Sequence, residues 1–170
     1  PGNNKEMIEK AELLVRYGIK PEYDLILGNP FDTVEVMEET IDLLLALPRP
    51  VFLDTFKLSY FPYYPLTMRA LEAGHISEQD VTYDAIAEAV MYNYFFIPKI
   101  SFGRKDNLEA AVYILSWDSS ITRFLAAAVR KKWLPFAGII VGLLAVTRYQ
   151  QTFGRKSYLN NLRRIYLGIQ

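Results

Sequence analysis

The sequence predicts an α/β arrangement over its first half and an all-helical second half, and three observations carry this. Residues 23–27 are a short apolar run of strand length that Gly28 and Pro30 bring to a stop. A helical apolar pattern follows at Val34, Met37, Ile41, Leu44 and Leu45, opened by Asp32 as N-cap with Glu35 at the capping-box spacing. After Pro48 and Pro50 a second strand-like run occupies residues 51–58, and the stretch 29–50 is long enough to carry a parallel crossover. Together these make one βαβ unit.

Upstream of it, Met7, Ile8, Ala11, Leu14 and Val15 form an apolar stripe capped by Asn3 or Asn4, with Gly18 just past its end and Pro21 beyond. Downstream, residues 66–73 read as a short helix closed by Gly74. The order over residues 3–74 is therefore α-β-α-β-α. Ligands of such sheets bind where the strands end, here at Gly28-Asn29-Pro30 and over residues 59–65.

These two strand ends carry a resemblance. Gly28-Asn29-Pro30-Phe31-Asp32-Thr33 is similar to the Gly-x-Pro-Gly-Glu-Thr turn of radical S-adenosylmethionine enzymes of the cobalamin-associated type, with Phe31 in place of the second glycine. Pro62-Tyr63-Tyr64-Pro65-Leu66, leading to Ala73-Gly74, resembles that family's Pro-Gly-Thr-Pro-Leu and the short helix after it, with Tyr63 and Tyr64 as departures. The resemblance covers about residues 3–80.

It implies a partial (β/α) TIM-like barrel over residues 1–80, with residues 81–170 as a helical C-terminal module. It also implies that Ile26, Gly28, Asn29 and Pro30 lie beside the adenosine of S-adenosylmethionine, and that the stretch through Leu58, Tyr60 and Phe61 meets its adenine. Tyr63 and Tyr64 would then face a flat or apolar substrate. The alternative is that Gly28 and Pro30 only shape a tight turn, that the aromatic cluster packs the barrel mouth, and that Asp32 is a cap rather than an acid catalyst.

The family's four-iron four-sulfur cluster needs a Cys-x-x-x-Cys-x-x-Cys loop, and this chain has no cysteine. Two strands are also too few to close a barrel. The resemblance therefore implies a C-terminal part of a longer enzyme, inactive alone, whose cluster ligands lie in an upstream part of the same polypeptide. Cobalamin is the accompanying cofactor the family suggests. Isolated, so short a parallel sheet is expected to self-associate through its open edges.

With 170 residues, 51% of them hydrophobic and 22% charged, the chain can bury a core and is not of disordered composition. The lack of cysteine fits a reducing cytoplasm. The zero net charge conceals a division: residues 1–118 sum to −9, whereas residues 119–170 hold nine basic side chains and no acid. The basic half either packs on the acidic half or meets an acidic partner.

In the second half, Tyr83, Ile86, Ala87, Val90, Tyr94 and Ile97 predict a helix over 82–97 that Pro98 ends. Asp106 or Asn107 opens another reaching Ser116, and Ser119 or Ser120 opens one reaching about Lys132. The uncharged run 133–146, flanked by Arg130, Lys131, Lys132 and Arg148, is too short to span a bilayer. It reads as a core helix or as an interfacial helix on an anionic membrane surface, which would make the protein cytoplasmic and peripheral to the membrane. The interfacial reading carries a second expectation of function, a non-catalytic helical adaptor for a membrane or protein partner.

Phe102-Gly103-Arg104-Lys105 recurs as Phe153-Gly154-Arg155-Lys156, two copies that do not make a repeat architecture. The same region interleaves Tyr158, Arg163, Arg164 and Tyr166, yet it is too apolar, and too bare of known motifs, to suggest nucleic acid. His75 follows Gly74 at a helix end and forms no metal-ligand spacing.

Overall fold

The structure, a computed structural model, describes residues 3–87, 103–117, 119–134 and 139–140. Its elements are α1 (Asn4–Arg16), β1 (Glu22–Leu27), α2 (Val34–Ala46), β2 (Phe52–Lys57) and α3 (Pro65–Glu72), then a 3-10 turn (Glu78–Val81), α4 (Arg104–Leu115) and α5 (Ser120–Arg130). Residues 83–87 are helical, with the Thr82 hydroxyl accepting the Ala85 amide. The rest of the helix expected over 82–97, most of the run 133–146, and Phe102 with the second Phe-Gly-Arg-Lys copy lie outside the described residues.

Local chemistry sets the element ends. Asn3 caps α1 by accepting the Lys5 amide. Gly18 and Gly74, at φ +75° and +68°, close α1 and α3 in the same way. In each case the amide beyond the glycine reaches back to an earlier carbonyl, Ile19 to Leu14 and His75 to Ala70, which satisfies otherwise orphaned acceptors. The expected cap of α2 moves by one residue: Thr33, not Asp32, accepts from the Val36 amide, because the Asp32 carboxylate is taken by the Asn29 side chain. α4 opens at Arg104 behind Gly103, earlier than Asp106 or Asn107.

β1 and β2 pair in parallel, with Asp24 opposite Asp54 and Ile26 opposite Phe56. Alternation splits the sheet into two unlike faces. Tyr23, Leu25, Leu27 and Leu53 turn toward the core, where Met37, Ile41 and Leu44 of α2 and Ala11 of α1 meet them. Ile26, Phe52 and Phe56 are exposed on the other side.

The partial (β/α) TIM-like barrel is overturned by this arrangement. Among the described residues there are only two strands, in an open sheet, and helix dominates. A single βαβ unit is common to barrels and open sheets, and among the described residues no third strand comes after β2. Instead α4 and α5 lie on α2, and Leu108, Ala111, Val112, Leu115, Ala126 and Val129 enter the same core as Leu27 and Leu53. Ile41 at the centre is fully buried, so its truncation to alanine costs about 2–5 kcal/mol.

Charge fastens the helices as well. Glu38 of α2 receives Arg104 at 2.6 Å and Arg130 at 2.9 Å, and Arg130 also meets Asp42 at 2.9 Å. Arg104 further donates to the carbonyls of Val129 and Arg130, at 2.6 and 2.8 Å. Arg123 caps the end of α2 by donating to the carbonyls of Leu44 and Leu45. Part of the basic half thus does pack on the acidic half.

Candidate functional site at the strand ends

The carboxyl end of β1 is a turn that its own side chains hold. Gly28 takes φ +83°, and a Cβ placed there would meet only the Lys57 Cγ, at 3.8 Å. Glycine is thus required for conformation rather than by crowding. The Asn29 Oδ1 accepts the Phe31 amide at 3.1 Å, its Nδ2 donates to Asp32 Oδ1 at 2.8 Å, and its carbonyl accepts the Asp32 amide at 3.2 Å. This Asx turn pins the loop before α2 begins.

Two further elements converge on the turn. After β2 the ladder continues for one bond, from the Leu58 amide to the Leu27 carbonyl at 2.8 Å, and Tyr60 then points its hydroxyl at the Gly28 carbonyl, 3.4 Å away. From α4, Lys105 donates to the Asn29 carbonyl at 2.8 Å. Glu109, four residues on and so on the same helix face, lies within reach of the Gly28 amide.

The electrostatics follow from this crowding. Burial pushes the Glu109 carboxyl up, and Asp106 and Asp32 add to it, while Lys105 and the Gly28 amide pull the other way. Burial also raises the Tyr60 phenol, helped by Asp80 and Glu109. Glu109 therefore stays protonated to higher pH than an ordinary glutamate.

Around the rim, Phe31 is held between His75, edge-on at 5.0 Å between ring centroids, and Arg69, 4.2 Å over its face. Phe31 thus packs between these two side chains.

Of the residues the sequence singles out, Gly28, Asn29, Leu58 and Tyr60 come together at the turn. Pro30 lies within it, half-buried. Ile26 lies on the exposed sheet face opposite Phe56. Phe61 and Tyr64 form a tilted ring pair 6.0 Å apart, and Tyr63, 92% exposed, adopts φ +66°. Tyr63 thus holds a left-handed backbone that favours glycine. Lys105 and Glu109 escape sequence reading because they are 76 and 81 positions beyond Asn29 and Gly28, and only the docking of α4 on α2 brings them near.

The chain matches no protein-family model, no curated protein and no solved structure.

Proposed function

We propose that the chain supplies the cofactor-facing strand ends of a radical S-adenosylmethionine enzyme, acting with an upstream part of the same polypeptide and inactive alone. The observation that carries this reading is the Tyr60 hydroxyl on the Gly28 carbonyl. It brings Gly28, the first residue of one resembling stretch, against Tyr60, two residues ahead of the other. The Asx turn at Asn29 keeps the backbone after Gly28 fixed before a ligand arrives.

The residues present do not fit an iron–sulfur cluster, because there is no cysteine to ligate it. No chemical step through a cluster is assigned to this chain. Its part is to bind and orient: the Gly28–Asn29 turn with Tyr60 would form one wall of the site, and Phe61 and Tyr64 offer exposed aromatic rings to an apolar substrate. No helix among the described residues is long and apolar enough to cross a membrane. Within the proposal the enzyme is cytoplasmic, with any membrane contact peripheral.

The gene sequence encoding the region ahead of this stretch tests the reading. A Cys-x-x-x-Cys-x-x-Cys loop within the preceding few strands is expected. An open reading frame without one would overturn the proposal.

A further inference from the structure

We propose that the outward side of α5, with the turn after it, docks on an anionic membrane surface. This does not rest on the preceding reading. The inward side of α5 is fully used: Thr122, Ala126 and Val129 are buried, and Arg123 and Arg130 turn toward α2. The opposite side carries large apolar groups in solvent, with Ile121 72% and Phe124 65% exposed. Trp133, just past the helix, is 66% exposed.

These groups belong to one surface. Phe124 and Lys131 are seven residues apart, two helical turns, and so fall on the same stripe. The Lys131 ammonium in turn stands over the Trp133 ring at 5.1 Å. Phenylalanine and isoleucine supply the apolar insertion, tryptophan the interfacial anchor, and Lys131 with its exposed neighbour Lys132 the charge. Charge complementarity selects the occupant. Of the basic side chains described from residue 119 onward, Arg123 and Arg130 turn to α2, whereas Lys131 and Lys132 stand exposed beside Trp133, and this stretch of sequence holds no acid. A neutral apolar protein groove would make no use of that imbalance; a phospholipid surface does.

Trp133 reports directly on the contact. The other tryptophan, Trp117, packs edge-on against Tyr113, so W117F leaves Trp133 as the single emitter. Vesicles of phosphatidylcholine with phosphatidylserine should shift its emission to the blue, brominated acyl chains should quench it, and high salt should reverse both. Each lysine near such a surface strengthens binding about fivefold, so K131Q with K132Q should weaken it roughly 25-fold. F124S should abolish the quenching, and melts of these exposed-site variants should match the parent.

Three outcomes overturn the proposal. One is unchanged Trp133 emission with anionic vesicles at low salt. Another is flotation of the protein with Trp133 unquenched, which assigns the binding to other basic residues. The third is lipid-independent self-association that F124S removes, which assigns the surface to a second copy of the chain.

Discussion

Lys105 donates to the main-chain carbonyl of Asn29 across 2.8 Å, so the first turn of α4 is fastened to the loop that ends β1. The bond joins residues far apart in the chain and fixes the distance between the helical half and the strand-end turn. Lys105→Met keeps the aliphatic stem and removes the donor. A charged hydrogen bond of this kind contributes about 1.5–3 kcal/mol, and part of that is offset here because Asn29 still accepts from Asp32. Urea unfolding should show a lower midpoint with an unchanged slope.

Glu109 should make the protein more stable as an amide than as an acid at neutral pH. Its folded-state carboxyl is raised, first by burial, so folding disfavours the ionised form. The penalty is absent below the unfolded-state value and complete above the folded one. Glu109→Gln should therefore raise the melting temperature at neutral pH and leave it nearly unchanged in acid. A variant that loses stability at neutral pH would mean that an ionised Glu109 is held by Lys105 and the Gly28 amide.

Glu38 has the opposite sign. The Arg104 hydrogen bond holds its carboxyl below the usual range, burial opposes this, and the charges of Arg130, Arg104 and Lys132 add to the lowering. Its contribution is present above the unfolded-state value and is lost as pH falls through the lowered folded one. Glu38→Gln should flatten the acid limb of a stability-versus-pH curve. It should also loosen α4 and α5 from α2, seen as faster amide exchange at Ala126 and Val129.

Tyr63 spends conformational energy at φ +66° with its ring in water. A left-handed backbone costs a non-glycine residue roughly 1–2 kcal/mol, and glycine returns some of this as extra freedom of the unfolded chain. Tyr63→Gly should stabilise by about 0.5–1 kcal/mol in chemical denaturation. No gain would indicate that the exposed ring holds the loop through contacts with its neighbours.

Among the described residues both strands have an open edge, and the exposed face sets Ile26 against Phe56, so self-association of the isolated chain is expected. Ile26→Lys with Phe56→Lys should lower light scattering at micromolar concentration.

The βαβ unit was legible because local rules dictate it: an apolar run, Gly28 and Pro30 to end it, helical spacing from Val34, and a second run before Leu58. The Ser119 cap and both glycine closures at Gly18 and Gly74 were legible for the same reason. The barrel was misread because β1-α2-β2 looks alike in closed and open sheets, and the docking of Leu108, Val112 and Val129 on α2 leaves no local mark. At the site, Gly28 and Asn29 follow from turn chemistry, whereas Tyr60 enters only through the resemblance. Lys105 and Glu109 could not, since a lysine and a glutamate four apart on a helix read as an ordinary solvated pair.

If the Gly28 turn and Tyr60 form one face for an adenosyl group, amide chemical shifts during titration with S-adenosylhomocysteine test it most directly. Saturable shifts are expected at Gly28, Asn29, Leu58 and Tyr60, with none at the far ends of the strands near Glu22 and Phe52. Gly28→Val should abolish them without unfolding the helical core. Shifts that are absent at millimolar ligand, or that survive Gly28→Val unchanged, would contradict an adenosyl site at this turn.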